Sequence, residues 1–173
     1  MTGEKKSPAE TNMNSVVEEL DKYEIELGLP EHKIPESMPS DIKECIIMDR
    51  DQLNKLNPED CLNKSYIIYQ FCFFLQREIN KEKAREQWAV AETTKYVHDK
   101  LNNYTQFGNE YRIQSIAAEN SYVGNMLFIQ NKSKRRTIRL EHLGVSLKNL
   151  ADTLKDISRA KLSNLKNERA STV

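Results

Sequence analysis

The stretch "YIIYQFCFFLQ", residues 66–76, decides the fold. It is the least polar run in a chain whose residues are 30% charged and whose mean hydropathy is −0.72. A membrane span, a buried strand and a helix covered on most sides would each bury it. A span needs about 20 apolar residues, whereas Arg77, Glu78 and Lys81 follow this run at once. A strand conflicts with the residues in front. "NPED" at 57–60 sets Asn57 as an N-cap, Pro58 at the first helical position, and Glu59 and Asp60 against the positive end of the dipole. No Pro or Gly then occurs before Gly108, so the spacing predicts a helix over roughly 58–102. Ile68, Cys72, Leu75 and Ile79 form one face at 4-3-4 spacing. Leu62, Tyr66, Tyr69 and Phe73 form a second face, and Ile67, Phe71 and Phe74 a third. A helix apolar nearly all round must be covered nearly all round.

Past residue 80 the apolar residues thin, and "NNYTQFGNEY" at 102–111 reads as a turn. A return helix is expected over 110–165. Its seam reads Tyr122, Met126, Ile129, Ser133, Arg136, Leu140, Leu143, Leu147, Leu150, Leu154 and Ile157 at alternating 4-3 spacing. Two long helices joined by a short turn fold back antiparallel. The expected class is therefore all-α, a long helical hairpin over 57–165. One partner helix cannot cover three apolar faces, so the reading assigns an oligomer interface to Tyr66, Tyr69, Phe71, Phe73, Phe74, Leu140 and Leu147. Cover by the short N-terminal helices is the competing account.

In front of the hairpin, residues 1–14 read as a flexible tail and 15–56 as an acidic arm. Ser15 and Glu18 look like a capping box for a helix stopped by Gly28 and Pro30. Pro30, Pro35 and Pro39 mark an extended connector, after which Ser40 is set to cap a short helix through Ile42, Ile46 and Ile47. Residues 166–173 read as a C-terminal tail.

Net charge is zero but unevenly spread. Residues 1–60 hold 7 Lys and Arg against 15 Asp and Glu; residues 129–173 hold 11 against 4. An acidic front and a basic end fit head-to-tail contact, an arm folded on its own basic helix, or an anionic partner. The sharpest cluster is "NKSKRRTIR" at 131–139, where Lys132, Lys134, Arg135, Arg136 and Arg139 occur without one acid. Phosphates of nucleic acid match such a cluster, with Tyr122 and Phe128 able to stack on bases. Neutralisation by the acidic arm of this or another chain is the other reading.

Nothing in the sequence has the form of a catalytic centre. His32, His98 and His142 lie far apart, and no phosphate-binding Gly-rich loop or zinc-protease motif is present. Cys45, Cys61 and Cys72 show no metal-ligand spacing and read as reduced thiols, which with the polar start "MTGEKKSPAETN" gives an expected cytoplasmic compartment, the host's for a viral protein, or a virion. No cofactor, metal, enzymatic activity or membrane partner is expected.

Three features come in a recognisable order: the long helix that turns from aromatic to Lys/Glu-rich, the Tyr- and Gly-containing turn, and the basic, leucine-seamed return helix "RRTIRLEHLGVSLKNLADTLKDI". Over residues 57–157 this order resembles phage recombination mediators of the UvsY type. The resemblance implies a non-enzymatic homo-oligomer that binds single-stranded DNA through Lys132, Lys134, Arg135, Arg136 and Arg139 and helps load a recombinase. The proline-jointed arm departs from that pattern. It suits a structural subunit of a phage particle that laces into neighbouring chains, which stands as the alternative.

Overall fold

The computed structural model describes residues 7–27, 34–98, 100 and 108–171, and every regular element among them is a helix. In chain order these are α1 (Pro8–Glu26), α2 (Met38–Ile47), α3 (Arg50–Lys55), α4 (Pro58–His98), α5 (Asn109–Glu119) and α6 (Ser121–Ser171). The chain is all-α, and α4 packs against α6. Contacts divide it into two compact units. One, the α2–α3 unit, comprises His32–Arg77 and Leu140–Val173; the other, the α1–α5 unit, comprises Met1–Glu31 and Glu78–Arg139.

In the α2–α3 unit, Asn57 caps α4 as its sequence requires, its Oδ1 accepting from the Asp60 amide at 2.7 Å. The pairing of α4 with α6 is antiparallel and keeps a seven-residue register. Ser158 Oγ donates to the Pro58 carbonyl at 2.8 Å, Ser65 Oγ donates to the Ala151 carbonyl at 2.9 Å, and Cys72 Sγ lies 4.0 Å from the Gly144 carbonyl. Each step of seven forward on α4 is thus a step of seven backward on α6. Only small side chains let hydroxyls reach the opposite backbone in this way.

The register shifts half of the expected seam. Leu140, Leu147 and Leu154 point inward as predicted, but Thr137, Ala151 and Ser158 are buried where the sequence favours Arg136, Leu150 and Ile157. Leu143 is exposed. Hydrophobicity selects the largest residue at each turn, whereas close helix approach selects the smallest, and here closeness wins.

Much of the cover for the 66–76 run comes from the chain itself. Met38, Ile42 and Cys45 of α2 join Ile68, Leu75, Leu147, Ala151 and Leu154 in one core. Tyr69, Phe71, Phe74 and Leu140 pack half-buried against it, and Leu147 is fully inside. Of the residues assigned to an interface between chains, only Tyr66 (63% exposed) and Phe73 (51%) keep large open surfaces. Lys161 also has a structural role: its Nζ donates to the carbonyls of Leu53, Asn54 and Leu56, closing the C-terminal end of α3. Burial pushes the Cys45 and Cys72 thiols above their ordinary pKa, away from the reactive thiolate.

The N-terminal arm differs from its reading. Helix α1 starts at Pro8, inside the expected tail, because Ser7 and Glu10 form the capping box: the Glu10 amide donates to Ser7 Oγ and the Ser7 amide to Glu10 Oε2. Ser15 and Glu18 sit mid-helix. Ser37, not Ser40, precedes α2, and Ser40 Oγ turns back to the Ser37 carbonyl at 2.6 Å. An Asp49–Gln52 capping box starts α3, which the sequence reading omitted. The proline connector falls partly, and the 102–107 turn wholly, outside the described residues. The arm does not stand apart, since α1 packs in the α1–α5 unit. There Ala9 joins Ala89, Val97, Ile116, Val123, Met126 and Ile129 in a second core.

The expected single return helix is broken at Asn120. Its amide donates to the Ile116 carbonyl, ending α5, while its Oδ1 accepts from the Tyr122 and Val123 amides, starting α6. Beyond it, α6 runs on to Ser171, through most of the expected tail.

Two stability tests follow from the register. A Cβ at Gly144 meets nothing within 4 Å, so Gly144→Ala should raise stability by about 0.5–1 kcal/mol in a urea melt. Ala151→Leu, which pushes the helices apart, should lower it by about 1–3 kcal/mol.

A third test uses pH. Tyr69 Oη donates a short hydrogen bond to Asp152, which with burial raises the phenol's pKa. A raised folded-state value means the contribution is complete below pH about 10 and is lost as pH climbs through it. Tyr69→Phe should therefore cost about 1 kcal/mol at neutral pH, and the two proteins should converge in stability in strong alkali.

Candidate functional site

The α6 segment between Glu119 and Glu141 contains no acid. Its core-facing residues Met126, Ile129, Ser133 and Thr137 hold the helix down, which turns the opposite side outward. At 3.6 residues per turn, Phe128, Lys132, Arg135 and Arg139 fall on that outer side at 4-3-4 spacing, spanning about 16 Å along the axis. All four are exposed, Phe128 by 61%. Lys132 Nζ sits 5.5 Å from the centroid of the Phe128 ring, so cation and ring make one surface. Lys134 is exposed too but lies roughly 130° around the helix from this stripe.

Arg136 stands apart from the other four basic residues. It flanks the buried side, and its Nη1 meets Glu82 Oε1 at 3.3 Å. Glu82 is 94% buried by side chain and takes Arg85 Nη1 on the same oxygen at 2.5 Å. Among the described residues its second oxygen makes no hydrogen bond. Arg136 thus serves as counterion to a buried carboxylate as well as a member of the cluster. By contrast, among the described residues no carboxylate pairs with Lys132, Lys134, Arg135 or Arg139.

The acidic helix α1 lies in this same unit, yet its Asp21 approaches Lys81 of α4 at 2.9 Å rather than the stripe. Where α1 does come near, it builds a cleft of about 140 Å³. Met13, Ile129 and Phe128 supply its apolar lining, and Lys132, Arg136 and Arg85 its cations. Glu10 and Ser133 complete the wall. Tyr122 is engaged elsewhere: its ring packs 4.9 Å from that of Tyr96, and its hydroxyl accepts from Asn12 at 3.5 Å. Of the two aromatics read as stacking partners, Phe128 is the open one.

Sequence reasoning found the cluster but missed Glu82, Arg85, Glu10 and Met13. One signal was there. The 4-3 phase of Leu75 and Ile79 continues to Glu82, and an acid in core phase demands a cationic partner. His98 and His142 are exposed, and His32 lies outside the described residues. Among the described residues no group of His, Cys, Asp and Glu is placed to hold a metal ion, and no helix is long and apolar enough to cross a membrane. Comparison with family models, with curated protein sequences and with solved structures finds no match to this chain.

The separation of Arg136 from its neighbours is measurable. Arg135→Gln and Arg139→Gln should each change stability by less than about 0.5 kcal/mol. Arg136→Gln should cost about 1 kcal/mol, and Glu82→Ala, which strands the largely buried Arg85, about 2–3 kcal/mol. A double-mutant cycle over Glu82 and Arg136 that gives no coupling would sink the assignment.

Proposed function

We propose that this protein is a non-enzymatic accessory factor that binds single-stranded nucleic acid along the outer side of α6. One observation carries the reading. Lys132, Arg135 and Arg139 form an exposed stripe with no acidic partner among the described residues, although an acidic helix lies in the same unit. Like charges so close repel unless counterions or phosphates accompany them, and a strand supplies phosphates in series. Phe128 adds a stacking face of the kind that makes single-strand binding tolerant of sequence. Lys134 is a flanking contact, and Arg136 reaches the strand only in competition with Glu82.

The sequence pattern over residues 57–157, which resembles that of UvsY-type mediators, supports placing this activity in phage-type recombination or replication. A recombinase is then the protein partner and self-association the working state. A second reading, a structural assembly subunit, draws on the open surfaces of Leu62, Tyr66 and Phe73 in the α2–α3 unit. Those side chains suit contact with another copy or another phage protein.

Salt-dependent binding to a labelled oligonucleotide tests the main reading. Each phosphate contact adds roughly 0.7 to the slope of log affinity against log salt. Replacing Lys132, Arg135 and Arg139 with Gln should flatten that slope by about two while leaving the thermal melt in place. Absence of oligonucleotide binding by the wild type at low salt would overturn the reading in favour of assembly. Under the assembly reading, Phe73→Asp should shift the mass seen by light scattering without lowering helix content.

A further inference from the structure

We infer that the cleft between α1 and α6 is a base pocket, which takes one nucleobase of the bound strand while the flanking phosphate lies on Lys132 and Arg136. The inference rests on the proposed binding of single-stranded nucleic acid and adds what that stripe lacks, an element that feels the base.

Size, lining and charge agree. At about 140 Å³ the cleft matches in volume the engineered apolar cavity of about 150 Å³ that admits a benzene ring. Met13 and Ile129 offer apolar surface to a ring, and Phe128 offers its face. Cations crowd the same wall: among the described residues Lys132 has no carboxylate partner, Arg136 is half-exposed, and Arg85 has a buried Nε that makes no hydrogen bond. The charge there does not cancel. Arg85 and Arg136 share the single carboxylate of Glu82. Even with Glu10 of the same wall counted beside Glu82, the three cations Arg85, Lys132 and Arg136 exceed the two carboxylates by one charge, which a phosphate would balance. The cleft is also continuous with the stripe, because Phe128 and Lys132 belong to both. A strand following the stripe would bring its bases to the mouth without a change of direction.

The test compares an oligothymidylate with an abasic strand of equal length, which keeps the phosphates and removes the bases. The full chain should bind the thymidylate about tenfold more tightly or better, the stacking contribution of one base, with the same salt slope for both strands. Met13→Trp fills the cleft from α1 and should abolish that preference without changing the slope. Arg135→Gln with Arg139→Gln should do the reverse. Phe128→Ala changes an exposed side chain and decides the matter if Met13→Trp fails to fold; it too should lower the preference. Equal, salt-dependent affinity for the two strands would overturn the pocket and leave the stripe standing. A preference that survives in folded Met13→Trp and Phe128→Ala would place the base elsewhere, also overturning it. Failure to bind either strand would remove the stripe reading and the pocket together.

Discussion

The closeness of α4 to α6 is the constraint on which the rest depends. Ser65 and Ser158 donate across the seam to backbone carbonyls, and a bond from a hydroxyl to the opposite main chain fixes distance and register at once. A leucine in either place would add apolar area but force the helices outward. With Ala151 as a further small position, Leu140, Leu147 and Leu154 supply the alternate positions of the repeat. Each buried leucine contributes about 1.5–3 kcal/mol. The small residues contribute little area themselves, but they determine which leucines are buried. Leu143, one residue out of phase with that register, is left exposed.

The same repeat takes a different form in the α1–α5 unit, where a carboxylate stands in a core position. Glu82 continues the phase of Leu75 and Ile79, and desolvating a charge is costly unless a partner is fixed beside it. Arg85, three residues on, and Arg136 from α6 provide that partner. The pair is therefore less a source of stability than a lock on rotation. Were α6 turned by one residue, about 100°, Arg136 would leave Glu82 and the stripe would face a different direction. The orientation of Lys132, Arg135 and Arg139 toward solvent thus follows from the buried side of α6, Met126, Ile129, Ser133 and Thr137, with the half-exposed Arg136 reaching Glu82 at its flank.

Much of the architecture was legible because its signals are local. Asn57 and Pro58 mark a helix start, and the absence of Pro and Gly over the next fifty positions lets α4 run to His98. Ile68, Cys72, Leu75 and Ile79 gave one face correctly, since no competing residue shares their phase. What escaped depends on partners distant in sequence. The half of the α6 seam occupied by Thr137, Ala151 and Ser158 is invisible to a hydrophobic count, because its buried residues are small ones packed against α4. Ser15 and Glu18 have the spacing of a capping box, but the same motif at Ser7 and Glu10 also has proline at the favoured first position, and α1 starts there. Asn120 gives no break signal in the sequence, because its polar side chain interrupts a helix only when it bonds the amides ahead. At the candidate site, the run of basic residues was plain, but the division within it was not. Arg136 is assigned by Glu82, 54 residues away, and Met13 reaches the cleft only because α1 folds onto this unit.

The physical character of the stripe bears on which class of partner it suits. The centres of interfaces between proteins are depleted in charged residues and favour aromatic ones, although arginine is enriched over lysine in such interfaces. By that measure the surface around Tyr66 and Phe73 resembles a protein contact more than the stripe does. An acidic protein partner for Lys132, Arg135 and Arg139 would have to present carboxylates at matching intervals and order them at an entropic cost. A nucleic-acid strand carries its charges at a regular repeat and gains from the counterions it releases. Phe128 adds a second distinction. A phenyl ring left 61% exposed among cations offers, beside bound phosphates, a face on which a base can stack. The pairing of an open ring with Lys132 at 5.5 Å fits a ligand that is itself both aromatic and anionic, and nucleotides combine the two at that scale.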